Sequence, residues 1–477
     1  MNFKKRIYIA ISILVPLLIG ITLGIWQVQP QRANGDSPVF QSMMHNIERL
    51  AQSPRHTGTP DAFIELKRVR SEIIAEIESM GLEPIIHDVS LFRMEVTEIR
   101  QLLGRRALYR RYFHDQFLPL QNILVRLESQ TSDRVVMIVS HYDSAFNSPG
   151  AADAMLPVAA MLEAMRIHAG NENLANNIYF LITDGEEIGA LGAYAFIRER
   201  PDLANRIDML VNLDARGTSG GLILFETTPQ PRSMLKLWNR AVSRPIGFSL
   251  AQPIYEYLNY FSDFCFFSMY NWRGVNLAIV QGGEHYHTPT DDFTHLNRNT
   301  AWHYLTTVLE FVDYAANNSL YGLHDNSSNA IFFMLLPGNM VVISYTWAYI
   351  LCGLAVLLAL AYFIIQIKNK RLKMSQSTVA LLVLTILSII SALLFHVGSY
   401  LFWLPLLLTV ITAFMKKWKI AYLTAQGITR VVALLLWIPL VYLIPALTMV
   451  SVMPFIFVVA CVYFVWCWLG FRETPII

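Results

Sequence analysis

Acidic and imidazole side chains recur at the ends of short apolar runs in the middle of this chain. Four runs rich in β-branched residues, bounded by turn signals, read as buried β-strands. In an open α/β sheet the carboxyl ends of such strands face a common crevice, so residues far apart in sequence can converge there. A fifth segment, Pro149–Asp153, adds another carboxylate. The side chains placed in this way are His141, Asp143, Asp153, Glu186, Glu187, Asp214 and His287.

This set of residues predicts a metal site. Imidazole nitrogens and carboxylate oxygens without Cys suit catalytic Zn²⁺ better than a structural zinc knuckle, and Mn²⁺ or Co²⁺ also accept them. Two ions need five or more ligands with one carboxylate shared, which the chain supplies. Glu186 is left over as a general base, and Asp143 is predicted to fix the tautomer of the His141 imidazole. The predicted ligands are His141, Asp153, Glu187, Asp214 and His287.

The alternative explanation for these residues is that they are ordinary polar side chains at the protein surface. Any one of these side chains alone could be a polar group at the end of a loop. The whole set, with members at the ends of several strands, is not explained in that way.

The same segments carry a series of motifs: H-Y-D at 141–143, G-A-A-D at 150–153, D-G-E-E-I-G-A-L-G-A at 184–193, N-L-D at 212–214 and Y-H-T-P-T-D at 286–291. In this order they resemble the co-catalytic di-zinc aminopeptidases, metallopeptidase family twenty-eight, which are related to bacterial leucyl aminopeptidase and the transferrin receptor ectodomain. The resemblance covers roughly residues 40 to 315.

The resemblance implies a fold, a cofactor and roles for these residues. The fold would be α/β, a zinc-peptidase fold with a mixed central sheet and helices on both faces. Asp153 would bridge two zinc ions per chain, and Glu186 would fall at the general base that activates water. By the same resemblance, His141 and Asp214 would complete one metal site, and Glu187 and His287 the other.

Two features depart from the family pattern. The family has a second Asp and then Ser-Gly after the bridging Asp, whereas here Asp153 is followed by residues 154–157, Ala-Met-Leu-Pro. The family's substrate-binding Tyr precedes a Ser-Asp pair, but Asn259 occupies that position before Ser262-Asp263. Tyr257 and Tyr260 are the nearby candidates for a substrate contact.

The composition indicates a membrane protein. Of 477 residues 54% are hydrophobic, and the mean hydropathy of +0.40 is too high for an ordinary soluble enzyme. A net charge of +2, without a basic stripe interleaved with aromatics, excludes an obvious nucleic-acid site. Of the four Cys only Cys265 lies outside apolar segments, so no disulfide is expected within the catalytic domain.

The apolar segments predict three domains. Basic residues at positions 4–6 precede an apolar run from Ile7 to Trp26. A signal peptide is one interpretation, but the run is long and no convincing A-x-A cleavage site follows it. We favour an uncleaved transmembrane anchor with its N-terminus in the cytoplasm. Residues 1–29 would then be the anchor, residues 30–328 an extracytoplasmic catalytic domain (periplasmic, extracellular or lumenal), and residues 329–477 a C-terminal helical membrane domain.

About five spans are predicted in that last domain, near 342–367, 378–397, 400–415, 429–449 and 452–470. Basic clusters at 368–373 and 416–419 then lie inside, as the positive-inside rule requires. No Asp or Glu occurs in these spans, which argues against a transporter, and His396 is interpreted as an interfacial residue.

Helix and turn signals complete the catalytic domain. Helices are predicted at Ser37–Ala51, at Asp61–Met80 with Gly81 as its cap, at Pro157–Ile167 and at Trp302–Ala315. Another is predicted at Ile188–Arg200, with Glu186 and Glu187 at its N-terminus, where the helix dipole favours carboxylates. Strands are predicted at Pro84–Leu91 and Asn122–Leu127, and a solvated basic loop at Arg105–Arg111.

Two further histidines are not predicted to bind metal. His56, in the turn R-H-T-G-T-P, is interpreted as structural, because the ligand set is complete without it. His285 would share a face with His287 only in a regular strand, and the turn signal Gly282-Gly283 opposes that.

The function expected from these features is metal-assisted hydrolysis of peptides by a membrane-bound aminopeptidase, with peptides and the lipid bilayer as partners. A carboxypeptidase, a dipeptidase or a glutaminyl cyclase of the same fold is the first alternative. A receptor or scaffold with an inactive peptidase domain is the second, but such proteins lose ligands and none is missing here.

Overall fold

The computed structural model describes residues 28–92, 117–204, 206–249, 251–257, 260–270, 272–320, 323, 327–336, 338–348 and 350. The predicted anchor Ile7–Trp26, the basic segment Arg105–Arg111, Asn259, His396 and nearly all of the predicted C-terminal spans lie outside these residues. Within the described ranges, no helix has both the length and the hydropathy needed to cross a membrane. One compact unit runs from Gly24 to Ser344, and a second comprises Met1–Leu23 and Tyr345–Ile477.

An eight-stranded mixed sheet forms the centre of the first unit. The strands are β1 (Ile85–Phe92), β2 (Phe117–Leu127), β3 (Val135–His141), β4 (Asn177–Thr183), β5 (Ile207–Ala215), β6 (Ile223–Thr227), β7 (Ile246–Gly247) and β8 (Arg273–Ile279). Their order in the sheet is β1-β2-β4-β3-β5-β8-β6-β7. Neighbouring strands among β4, β3, β5 and β8 are parallel, and so is the short pair β6–β7. The pairs β1–β2, β2–β4 and β6–β8 are antiparallel.

Helices cover both faces of this sheet, as the resemblance implied. They are α1 (Pro38–Leu50), α2 (Pro60–Ser79), α3 (Leu156–His168), α4 (Leu191–Glu199), α5 (Pro201–Ala204), α6 (Arg232–Ala241), α7 (Ala251–Tyr257), α8 (Phe264–Phe267) and α9 (Arg298–Asn317). Helices α1, α2, α3, α6 and α9 contribute to one hydrophobic core, and α4 and α8 to another.

Side-chain alternation along the parallel strands explains the two cores. Successive side chains of a strand point to opposite faces of the sheet. In β3, Val136 and Ile138 belong to the core under α1 and α3, whereas Val135, Met137 and Val139 belong to the core under α4. Because both faces are covered, every residue of β3 and β4 is buried, and these strands read as continuous apolar runs.

The first two helices begin and end where their sequences predict. Ser37 and Thr59 accept hydrogen bonds from the amides of Phe40 and Ala62, and a proline occupies the first turn of each helix. Gly81 follows α2 with φ of +77°, a conformation that favours glycine. The predicted helices at Ser37–Ala51 and Asp61–Met80 are confirmed within one residue at each end.

The segments around the predicted bridging Asp and the paired glutamates are less regular. Asp153 lies in a buried, kinked turn, Ala151–Met155, whose backbone is not helical at Asp153 and Ala154 and which leads directly into α3. The predicted helix start at Ile188 is wrong, because α4 begins at Leu191 after Ala190, whose φ is +54°. The glutamate pair therefore lies in the turn before the helix and not in its first turn.

A β-hairpin closes the compact unit. Strands β9 (Ala330–Leu336) and β10 (Asn339–Ser344) pair in antiparallel fashion and form a separate two-stranded sheet. The unit thus extends beyond the predicted boundary at residue 328. The first predicted C-terminal span, from about residue 342, overlaps the end of β10 by three residues.

Candidate metal centre

The carboxyl ends of the four parallel strands bring the predicted ligands together. His141 is the last residue of β3, and Asp214 is the penultimate residue of β5. Glu187 follows β4, His287 follows β8, and Asp153 comes from the kinked turn before α3. These residues form two groups that share Asp153, and the ligand atoms within each group lie within 4.8 Å of one another. The first group is His141, Asp153 and Asp214, and the second is Asp153, Glu187 and His287.

Asp153 belongs to both groups. Its Oδ1 lies 3.2 Å from Nε2 of His141, which is also 3.7 Å from Oδ1 of Asp214. Its Oδ2 lies 3.2 Å from Nε2 of His287, which is also 3.1 Å from Oε2 of Glu187. Each carboxylate oxygen of Asp153 therefore faces a different imidazole, the arrangement that a shared ligand between two ions requires.

The residues present fit divalent metal ions. Nε2 of His141 and Oε1 of Glu187 are buried, and neither forms a well-directed hydrogen bond with a described residue, although Nε2 lies 3.2 Å from Oδ1 of Asp153. Buried polar atoms without partners are costly, and one ion in each group would satisfy them. Burial by itself favours protonated Asp153, but the adjacent imidazoles of His141 and His287 hold the pKa of Asp153 well below its usual range. Nitrogen and oxygen donors in this mixture match Zn²⁺.

Asp143 supports the site in two ways. Its main-chain carbonyl lies 3.1 Å and its Oδ1 lies 3.4 Å from Nδ1 of His141, contacts that favour the imidazole tautomer with Nε2 facing the site. The carboxylate oxygens accept the amides of Glu186 and Glu187, each at 3.1 Å. Asp143 thereby ties the loop after β3 to the turn that carries both glutamates.

Glu186 is buried beside the two ligand groups and belongs to neither. Burial raises the pKa of its carboxyl well above the usual value, and the charges of Asp214 and Glu187 raise it further, although His141 opposes them. A carboxyl group with a raised pKa is a better proton acceptor and donor near neutral pH than an exposed one.

A pocket of about 140 Å³ adjoins the group that contains Glu187 and His287. Its outer wall includes Phe146, whose side chain is 45% exposed. The ring of His56 stacks on Phe146 at 5.1 Å, and its nitrogens are used by the amide of Gly58 and the carbonyl of Phe146. His56 therefore belongs to the pocket wall and to neither ligand group, in agreement with its interpretation as structural.

Arg55 is a supporting residue that sequence reasoning missed. Its side chain is fully buried and donates to the carbonyls of Tyr142 and Gly150, at 2.6 and 3.0 Å, and to the carbonyl of Pro149. Burial lowers the pKa of its guanidinium to about 10, so it stays charged. Arg55 thus joins the loop after His141 to the loop before Asp153. No local pattern signals this role, because its partners are main-chain carbonyls far away in the sequence.

We expect Arg55→Lys to weaken metal binding about 10–100-fold, the usual range for loss of a residue that orients metal ligands. Lysine keeps the charge, but its ammonium group cannot reach three carbonyls in the fork geometry of a guanidinium. Competitive titration with a chromogenic chelator measures the affinity. Arg49 forms a partly exposed ion pair with Glu72. Arg49→Lys is therefore the matched control, and it should leave the metal affinity unchanged. Equal affinities of the two variants would contradict the role of Arg55.

Asp291 supports the bridging residue directly. Its carboxylate accepts the amides of Ala152 and Asp153, at 2.8 and 3.2 Å, and the hydroxyl of Ser148. Burial raises the pKa of Asp291 to about 7, and the charge of Asp153 raises it as well, although the two amide bonds oppose this. Its position at the end of the Y-H-T-P-T-D motif was the signal that could have assigned it.

Arg216 lies two residues after Asp214 among three aromatic rings. Its guanidinium carbon is 4.2 Å from the ring centre of Tyr260, 5.2 Å from that of Tyr255 and 5.4 Å from that of Tyr286. It donates to the hydroxyl of Tyr286 at 3.1 Å, and the Tyr286 ring stacks on His287. Of the predicted substrate-contacting tyrosines, Tyr260 therefore packs on this arginine. The side chain of Tyr257 lies outside the described residues.

His285 lies apart from both groups. Its Nδ1 is 2.8 Å from the hydroxyl of Thr290, and its ring packs against His295. His287 has φ of +57°, so the segment is a turn and not a strand. The two histidines consequently do not share a face, as the sequence predicted.

Comparisons with known proteins find similarity to metallopeptidases. Residues 122–312 match Peptidase family M28. "Putative endoplasmic reticulum metallopeptidase 1" of Schizosaccharomyces pombe is 31% identical over 353 residues, which are 70% of this chain and 42% of that protein. "Vacuolar membrane protease" of Candida glabrata is 29% identical over 227 residues, 46% of this chain and 23% of that protein. The chain thus spans less than half the length of these relatives.

Among solved structures, an aminopeptidase from Aneurinibacillus sp. strain AM-1 is similar to 58% of this chain and 93% of its own, with a TM-score of 0.46 and 14% identity.

Proposed function

Because this chain belongs to peptidase family M28, we propose that it is a membrane-bound, zinc-dependent aminopeptidase. The observation that carries the proposal is the position of Asp153, shared between two buried groups that each contain one imidazole and one further carboxylate. Glu186, which is buried beside them and belongs to neither group, supplies the base that hydrolysis requires.

The five ligand residues would hold two zinc ions. Asp153 would contact both, His141 and Asp214 would complete the first site, and Glu187 and His287 the second. When bound, such ions lower the pKa of water and polarise the scissile carbonyl group. Arg55, Asp143 and Asp291 would keep the ligands in place through hydrogen bonds to the main chain of the ligand loops.

Glu186 would move the proton. In this proposal its carboxylate accepts a proton from the attacking water and then delivers it to the leaving amine, a role worth about 10²–10⁴-fold in rate. Its burial removes competing bulk water, and its main chain is fixed by the bond from its amide to Asp143.

The pocket beside Glu187 and His287 supports exopeptidase action. About 140 Å³ gives room for one side chain. The carboxylate of Glu187 lines the pocket and favours a positively charged group such as the free amino terminus of a substrate. The exposed ring of Phe146 favours an apolar side chain at that terminus.

A membrane location is part of the proposal. The apolar runs at both ends of the chain predict an anchor and a C-terminal bundle, which would place the catalytic domain on the extracytoplasmic side. The names of the two relatives, which refer to the endoplasmic reticulum and to the vacuolar membrane, support a membrane-associated function.

The test is hydrolysis of matched free and N-acetylated dipeptides by the full chain in detergent. We expect cleavage of the free dipeptides only, its loss with a chelator, and its return with added Zn²⁺. The Glu186→Gln protein, purified in parallel, controls for contaminating peptidases. Cleavage of the acetylated substrates at equal rates would refute the aminopeptidase assignment. Activity that survives complete metal removal would refute metal dependence.

A further inference from the structure

Helix α6 carries a stripe of positive charge along one side. Arg232, Lys236 and Arg240 are spaced at i, i+4 and i+8, so they lie above one another on the same face of the helix. Lys236 and Arg240 are exposed and Arg232 is partly exposed. The opposite side packs into the domain core through residues Met234, Leu235 and Trp238. We call Arg232, Lys236 and Arg240 the basic stripe.

The basic stripe has no acidic partner among the described residues. Residues 228–250 contain four basic residues, Arg244 being the fourth, and no Asp or Glu. Elsewhere in the described part of the chain, arginines commonly lie within 4.0 Å of carboxylates, as do Arg49, Arg68, Arg134, Arg166, Arg198 and Arg200. Like charges at i, i+4 spacing repel each other and destabilise a helix. An anion bound to the basic stripe would relieve this repulsion.

The stripe lies beside the segment that leads towards the apolar C-terminal region. Helix α6 packs on the hairpin β9–β10: the amide of Met340 donates to Asn239 at 3.0 Å, and the amide of Arg232 donates to Ser328 at 3.2 Å. Strand β10 ends at Ser344, and the chain then continues through residues 345–477, where spans are predicted. A short stretch of chain therefore separates α6 from the first predicted C-terminal span.

The N-terminal end of the domain lies at the same edge of the sheet. The carbonyl of Val28 accepts the amide of Gly221, just before β6, at 3.2 Å. A methyl group added at Gly221 would meet both Val28 and Ile246 of β7, so these segments are in close contact. Gly247 of β7 in turn approaches Met340 of β10. Both ends of the domain that lead to predicted spans thus converge at the β7 edge, next to α6.

We propose that the basic stripe of α6 binds the phosphate headgroups of an anionic phospholipid bilayer, the membrane in which the predicted spans lie. The chain leaves this edge towards both predicted membrane regions, and a helix with one basic face attracts anionic lipid. The proposal rests on the predicted spans and on the charges of α6, and it is independent of the peptidase activity.

Acylation of lysine tests the proposal in the full chain. Lys236 and Lys67 are the two lysines among the described residues, and both are exposed. The protein is placed in nanodiscs of phosphatidylcholine, with or without phosphatidylglycerol, and treated with a water-soluble amine reagent. Mass spectrometry then gives the labelling rate at each lysine. We expect phosphatidylglycerol to slow labelling of Lys236 about fivefold, the factor that corresponds to one cation near an anionic surface. Labelling of Lys67, on α2, stays unchanged, and high salt removes the difference.

A pair of variants separates the stripe from general surface charge. Arg232→Gln with Arg240→Gln should remove the lipid dependence at Lys236. The control variant carries Arg198→Gln and Arg200→Gln, which replace two arginines that have carboxylate partners and lie outside α6. This variant should keep the lipid dependence of labelling at Lys236. Equal labelling of Lys236 in the two lipid compositions overturns the proposal. Protection of Lys236 by soluble phosphate or by an acidic polypeptide in pure phosphatidylcholine also overturns it, since the ligand would then not be lipid.

Discussion

Replacing Glu186 with Gln lowers turnover of a free dipeptide by about 10²–10⁴-fold, the range for a lost general base, while two metal ions per chain are retained. Glutamine has nearly the same shape but cannot accept the proton of the attacking water. Glu186 belongs to neither ligand group, so metal binding does not depend on its charge. Steady-state kinetics at saturating substrate and metal analysis of the same sample measure the two quantities.

The matched control for this variant is Glu284→Gln. Glu284 lies in the loop that carries His287, but its side chain is 75% exposed and belongs to neither group. We expect turnover within a factor of about two of the wild-type value, as for an ordinary surface substitution. If Glu186→Gln kept wild-type turnover, the base would have to be sought among the other buried carboxyls, of which Asp263 is a neighbour.

Replacing Asp153 with Asn abolishes binding at both metal sites. Asp153 is the one residue common to the two groups, and an amide offers a single neutral acceptor oxygen in place of two charged ones. Asp214→Asn and Glu187→Gln each remove a ligand from one group and should leave one ion per chain. Metal analysis after dialysis against buffered zinc distinguishes these outcomes. Asp208 forms a surface ion pair with Arg134, and Asp208→Asn is the control variant, which should keep the wild-type metal content.

Thermal unfolding provides a second measurement on the same variants. An ion that binds only the folded chain stabilises it by about 2.7 kcal/mol at a free concentration one hundred times its dissociation constant. A chelator should therefore lower the Tm of the wild type and have no effect on Asp153→Asn. The bridging role would be refuted if Asp153→Asn and Asp214→Asn lost the same number of ions.

Several features of the site could be predicted because their signals are local. The run Val135–Ser140 is β-branched and apolar, and it forms a strand that delivers His141 at its end. The strand that carries Asp214 is predicted in the same way. Ser37 and Thr59 are N-cap residues whose hydroxyls bond main-chain amides within three residues, so nearby sequence determines where α1 and α2 begin.

The turn that carries the two glutamates shows where such reasoning fails. The sequence predicts a helix dipole that stabilises Glu186 and Glu187. Instead, their amides donate to the carboxylate of Asp143, and the positive φ of Gly189 and Ala190 interrupts the backbone, so the helix starts only at Leu191. Asp143 comes from the loop after a neighbouring strand. Nothing within a few residues of the pair indicates that a distant carboxylate would bind these amides.

The sequence by itself determined the types of the ligand residues and the strand ends that carry them, because apolar alternation and turn chemistry act over a few residues. Only the tertiary structure decided that Asp153 turns one oxygen towards each imidazole, and that Arg55 joins two ligand loops through their carbonyls. It also placed Arg216 among three tyrosines and brought both ends of the domain to one edge of the sheet. These arrangements depend on strand order and on main-chain partners far apart in the chain, and no short sequence pattern encodes such partners.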